Sequence, residues 1–117
     1  MLPRWLLPAL CLSLLPGCGR QEAYQACSYQ LPCGSDAPLC LANTTATGRT
    51  VLFCSRRCTT PAATSSDCPN NGACVTLNGM DRVCMKRCTA ASDCDFANAE
   101  CRVLPESLGA TVCAARP

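Results

Sequence analysis

Twelve cysteines between Cys27 and Cys113 recur at intervals that repeat three times, and no other feature constrains the chain as strongly. They form the blocks Cys27-Cys33-Cys40-Cys54, Cys58-Cys68-Cys74-Cys84 and Cys88-Cys94-Cys101-Cys113. Within a block, five to nine residues separate the first two cysteines, five or six the next two, and nine to thirteen the last two. Three residues join one block to the next, Ser55-Arg56-Arg57 and Met85-Lys86-Arg87. Other positions keep step with the cysteines. A hydroxyl follows the first cysteine (Ser28, Thr59, Thr89), a glycine lies in the last interval (Gly48, Gly79, Gly109), and Phe53, Val83 or Val112 precedes the closing cysteine. Ser-Asp stands before the second cysteine in two blocks (Ser66-Asp67, Ser92-Asp93), with Leu31-Pro32 in its place in the first. Self-similarity at a period of about thirty residues marks a tandem array.

An even set of cysteines at this density in 117 residues reads as a disulfide framework. Large side chains are scarce: beyond Trp5 the aromatics are Tyr24, Tyr29, Phe53 and Phe96. A chain this small buries only about 60–65% of its unfolded surface, so cross-links must supply stability that apolar area does not. The expected fold is small and disulfide-rich. It has three tandem four-cysteine blocks (27–54, 58–84 and 88–113), each with a short β-hairpin, and is loop-rich with little or no helix after the amino-terminal segment. Tyr24 and Tyr29 are expected to pack on the first block.

Structural disulfides persist in oxidising compartments, so this composition requires export. The amino terminus agrees. Met1-Leu-Pro-Arg4 is a basic start and Trp5 to Leu15 an apolar run, too short to span a bilayer, which needs about 20 apolar residues. Residues 1–17 therefore read as a signal peptide. Leu15-Pro16-Gly17-Cys18 resembles the lipobox of bacterial lipoproteins. That resemblance implies lipidation of Cys18 as the new amino terminus, with residues 18–26 as a tether to an outer membrane or cell surface. The alternative is cleavage after Gly19 between small residues, giving a soluble secreted chain from Arg20. Cys11 is removed in both cases, and the set from Cys27 to Cys113 stays even. A bacterial lipid anchor carries more than one acyl chain, which stable attachment requires.

In the middle block, Val75-Thr76-Leu77 and Met80-Asp81-Arg82-Val83 flank Asn78-Gly79, a dipeptide suited to a two-residue type I′ turn. Such a turn sets Leu77 opposite Met80 and Cys74 opposite Val83. Cys84 is then one step off register, so Cys74 and Cys84 project to opposite faces and should not bond each other. Of the three pairings four cysteines allow, two remain open. The outer blocks have longer loops, Asn43 to Gly48 and Pro105 to Gly109.

Cys68-Pro-Asn-Asn-Gly-Ala-Cys74 and the stretch up to Cys84 resemble the first two-thirds of an epidermal growth factor-like module. The resemblance implies the crossed pairing, first cysteine to third and second to fourth, as in Cys58–Cys74 and Cys68–Cys84. It does not bring that family's calcium site, because no acidic cluster precedes Cys58 and Thr76 stands where an Asp or Asn would. The whole chain is similar to small cysteine-rich repeat lipoproteins of myxobacterial type, a group with no common activity to transfer.

The chain has no histidine, which removes His-based nucleophile pairs and His-ligated metals. No Cys-x-x-Cys occurs, so a thioredoxin-like redox motif is missing. The net charge of +2 lacks the basic footprint of a nucleic-acid binder. The expectation is a non-enzymatic exported protein without cofactor or metal, meeting the membrane through its lipid anchor only. It would act as a structural or interaction module for a protein or glycan partner; the alternative is a soluble effector such as a protease inhibitor or receptor ligand. Arg56, Arg57, Lys86 and Arg87 occupy equivalent links and are candidate interaction residues against a solubilising role. Thr60 to Ser66 is the candidate inhibitory loop, and Asn43-Thr44-Thr45 is an acceptor sequon. With every cysteine from Cys27 to Cys113 bridged, thiol titration of the denatured, unreduced chain from Arg20 onward should detect no thiol. Two or more equivalents would contradict the framework.

Overall fold

The computed structural model describes residues 20–77 and 80–116. Among these, six strands and two 3-10 turns form, with no α-helix. The strands are β1 (Leu39–Thr44), β2 (Thr50–Ser55), β3 (Ala73–Leu77), β4 (Asp81–Met85), β5 (Ala99–Val103) and β6 (Thr111–Ala115); the 3-10 turns are Pro69–Asn71 and Ala91–Asp93. Successive strands pair as three separate antiparallel hairpins, one per cysteine block. Residues 1–17, expected to be a signal peptide, and Cys18 lie outside the described residues, as does the expected Asn78-Gly79 turn. In the outer hairpins the loop glycines adopt the left-handed conformation that favours glycine, Gly48 at φ 89° and Gly109 at φ 85°. The third loop is also gathered by buried Ser107, whose Oγ accepts from Leu104 N–H at 3.0 Å and faces the Ala110 carbonyl at 2.8 Å.

The six disulfides are Cys27–Cys40, Cys33–Cys54, Cys58–Cys74, Cys68–Cys84, Cys88–Cys101 and Cys94–Cys113. All stay within blocks and all are crossed. The register argument that excluded Cys74–Cys84 is nevertheless wrong in its premise. Leu77 pairs with Asp81, so three residues and not two separate the paired positions, and Cys74 stands directly opposite Cys84. The same opposition occurs at Cys40↔Cys54 and Cys101↔Cys113. Directly opposed residues share a face, so the third and fourth cysteines of each block point the same way. They bond elsewhere because the segment holding the first and second cysteines brings a sulfur to each of them.

That segment is held identically three times. The N–H of the first cysteine donates to the carbonyl two residues before the fourth: Cys27 to Leu52 (3.3 Å), Cys58 to Arg82 (3.1 Å) and Cys88 to Thr111 (3.1 Å). The N–H of the fourth donates back to Gln25, Arg56 and Lys86 (2.9, 3.0 and 2.9 Å). Ala26, Arg57 and Arg87 thereby bridge to Phe53, Val83 and Val112. Each inter-block link thus adds an isolated antiparallel bridge to the edge of the hairpin that follows it. Residues 21–26, read from the sequence as tether, are docked in the same manner, with Gln21 bridged to Cys33 and Tyr24 N–H donating to the Cys54 carbonyl at 2.7 Å.

With sulfurs on one face, alternation turns Val51 and Phe53, Val75, Val83 and Met85, and Val112 and Ala114 to the other. These residues from all three blocks join one buried cluster. Phe96 of the third block stacks on Phe53 of the first, centroids 5.4 Å apart and planes at 16°. The blocks therefore share a core instead of standing as a linear array. Polar contacts reinforce it: Ser55 Oγ donates to the Cys84 carbonyl at 2.6 Å, and Ala115 N–H to Asn43 Oδ1 at 2.9 Å. The latter occupies the side chain of the acceptor sequon.

A second cluster lies between the first two blocks around Tyr24, with the sulfurs of Cys27, Cys33, Cys68 and Cys84. Tyr24 is fully buried and Oη donates to the Pro69 carbonyl at 2.7 Å. Its backbone is left-handed, φ 69°, a conformation costing a non-glycine residue about 1–2 kcal/mol. Burial pushes the phenol far above its ordinary range, while the Arg56 charge opposes this. Tyr29 does not pack as expected; it is 97% exposed. The two tyrosines differ because only Tyr24 has a neighbouring block to enter.

Gly72 makes room for Tyr24. A Cβ there would lie inside contact distance of Tyr24 Oη and 2.9 Å from the Met85 carbonyl. Gly72→Ala should destabilise the protein by about 1–3 kcal/mol, in the range for overpacking. The loss should be smaller in a Tyr24→Phe background, where the hydroxyl is gone. Denaturant unfolding of the four proteins checks this, and strict additivity would show that the two sites are independent.

Candidate functional site

A concavity lies on the first block, an open groove of about 880 Å³ lined by Arg20, Ser28, Tyr29, Pro32, Pro38 and Leu52 together with the Cys33–Ser35 segment and Cys40. Its frame is rigid. Gln21 N–H donates to the Pro32 carbonyl and Gly34 N–H to the Gln21 carbonyl, both at 2.9 Å, while Arg20 Nη1 donates to the Cys33 carbonyl at 3.3 Å. Cys27–Cys40 and Cys33–Cys54 tie the same segments to the hairpin. Tyr29 sits in a tight turn in which Leu31 N–H donates to the Ser28 carbonyl at 3.2 Å and to Ser28 Oγ at 3.1 Å. The groove thus presents exposed apolar side chains, Tyr29 at 97% and Leu52 at 41%, and Leu31 of the same turn is 46% exposed beside it.

The corresponding turns of the other blocks are built differently. Thr59 donates to Asp67 through its hydroxyl and, at 3.2 Å, its backbone N–H. Asp93 Oδ2 accepts from Thr89 N–H (2.9 Å), Thr89 Oγ1 (3.1 Å) and Ala90 N–H (3.1 Å). The hydroxyl after the first cysteine and the aspartate before the second are thus partners. The first block lacks the aspartate, so Ser28 becomes the acceptor and Leu31-Pro32 is left exposed at the surface. That substitution was the sequence signal for the groove, and reasoning from the motifs passed over it.

The four candidate basic residues do not line the groove. Arg57 pairs with Asp81 at 3.3 Å, Lys86 with Asp95 at 3.0 Å, and Arg87 Nη1 donates to Thr64 Oγ1 at 2.6 Å. Arg56 is exposed and acts electrostatically on Tyr24 and Asp67. The Thr60–Ser66 loop lies along β3: Ala62 and Cys74 exchange backbone hydrogen bonds at 3.0 and 2.9 Å, and Ser65 N–H donates to the Gly72 carbonyl at 2.9 Å. Within each block three sulfurs approach within 4.8 Å, at Cys27/Cys33/Cys54, Cys58/Cys68/Cys84 and Cys88/Cys94/Cys113. All belong to disulfides, so they do not offer the thiolates that metal ligation uses.

The hydrogen bond from the Thr59 hydroxyl, then that from its N–H, holds the Asp67 carboxyl below the ordinary aspartate value of about 3.9; the N–H groups of Thr89 and Ala90, then the Thr89 hydroxyl, do so for Asp93. A carboxyl with a lower pKa folded than unfolded contributes stability above the unfolded value and loses it as pH falls through the folded one. Stability should therefore decline below about pH 4. The double variant Asp67→Asn/Asp93→Asn should show a shallower decline over the same acid range, measured by denaturant midpoint against pH. An unchanged profile would place the acid sensitivity elsewhere.

Comparison of the chain with protein-family models, characterised proteins and solved structures gives no match. The resemblances to epidermal growth factor-like modules and to cysteine-rich lipoproteins thus rest on cysteine spacing and the amino terminus. What is established is a small disulfide-rich protein of three repeated hairpin blocks.

Proposed function

We propose that the chain is an exported, non-enzymatic surface module, held to a membrane by lipid on Cys18, whose disulfide-framed loops contact a protein or glycan. One observation carries this reading. Every cysteine from Cys27 to Cys113 is in a disulfide, which demands an oxidising compartment and leaves no thiolate nucleophile in that region. The absence of histidine removes the commonest general base. Two kinds of surface are available for contact: the apolar groove of the first block, and hairpin loops of the others, where Met80 is 84% and Leu108 58% exposed. The soluble-effector reading is weaker because the Thr60–Ser66 loop is fastened to β3 and does not offer itself to a protease cleft.

Intact mass of the mature protein, before and after reduction and alkylation, tests the proposal. The expected species begins at Cys18, carries a diacylglyceryl adduct and takes up twelve alkyl groups only after reduction. Cys18→Ser should block processing or release the protein from membranes. An unlipidated chain starting at Arg20 in the culture medium would overturn the anchored reading in favour of the soluble one.

A further inference from the structure

The groove is lined by Arg20, which follows Cys18 by two residues in the chain. Residues 19–26 as a free tether would extend to roughly 25–28 Å and hold the blocks clear of the membrane. Gln21 to Ala26 are instead docked on the first block, and the Arg20 guanidinium is fastened to the Cys33 carbonyl at 3.3 Å. From Arg20 back to Cys18 is two residues, a reach of at most about 7 Å. The headgroup zone of one leaflet is itself about 5–8 Å deep. An anchored chain thus cannot lift its first block off the headgroups, and the surface nearest the anchor must accommodate them. That surface is the groove, which Arg20 lines.

We infer that the groove's exposed apolar residues Tyr29 and Leu52, with the adjoining Leu31, rest in the interfacial layer of the bilayer and orient the module upon it; this inference rests on the reading of Cys18 as the lipidated residue. The chemistry fits that occupant. Tyrosine is enriched at headgroup depth, where an apolar ring and a polar hydroxyl are both satisfied. A contiguous exposed apolar patch on a small protein marks an interaction surface. The other blocks have the Thr–Asp turn where the first has Leu31-Pro32, so the apolar substitution occurs only in the block next to the anchor. Loops bearing Leu108 are left for partners.

Trp5 is the only tryptophan and lies in the removed segment, so single-tryptophan reporters are clean. Tyr29→Trp and Leu108→Trp are placed in the lipid-bearing mature protein on vesicles of phosphatidylethanolamine and phosphatidylglycerol, with bromine-labelled lipids as quenchers. Tyr29→Trp should shift its emission to shorter wavelength and be quenched; Leu108→Trp should do neither. Equal quenching at both positions, or none at position 29, overturns the inference. Should native mass show no lipid, the anchored-module reading fails separately. The seat is then tested by coupling a maleimide lipid to Cys18 of a chain beginning there, its one thiol outside the bridged framework, with the same two outcomes. Six intact disulfides by mass confirm that each variant is folded.

Discussion

Each block depends on two crossed disulfides set side by side on one face of a two-stranded hairpin. A lone hairpin is marginal in water. Here the third and fourth cysteines stand opposite each other, and each is claimed by a sulfur from the segment laid across that face. In the chain-entropy view a bridge closing a loop of about 15 residues contributes roughly 3 kcal/mol; the six close separations of 13 to 21. Because sulfur fills one face, the other remains free to be apolar, and the hairpins can meet there.

The meeting of those faces makes one protein from three repeats. Phe53, Val83 and Val112 have the same place in each repeat, before the closing cysteine, and all three enter the shared cluster. Linear repeat arrays bury area against neighbours only. These blocks add a contact between first and third, through the Phe53–Phe96 stack and the Ala115 N–H to Asn43 hydrogen bond. Tyr24 closes the first block onto the second, and Gly72 is the residue that lets it approach.

The repeats diverge at the turn after the first cysteine. Two blocks satisfy it with an aspartate; the first uses Ser28 and exposes apolar side chains. The links with Arg56, Arg57, Lys86 and Arg87 show the opposite case. Their backbones bridge to the hairpins, and three of the four side chains hydrogen-bond to partners within the chain.

Spacing by itself determined the number of blocks, their hairpins and the even set of bridges, because a disulfide demands close approach and a fixed loop length repeats that demand. The hydroxyl after each first cysteine and the Ser-Asp before two second cysteines were visible as a pattern, but their partnership was not. It depends on a turn bringing Thr59 to Asp67 and Thr89 to Asp93. Asn78-Gly79 suits a turn without setting how many residues the loop contains, so the middle hairpin's register, with Leu77 opposite Asp81, differs from the one the dipeptide suggests. Tyr24 and Tyr29 are equivalent in composition and differ completely in burial, because one faces a neighbouring block and the other faces solvent. The shared core and the docking of residues 21–26 were decided by tertiary structure alone: short-range periodicity says which face of a hairpin is apolar, and only packing in three dimensions says what that face meets.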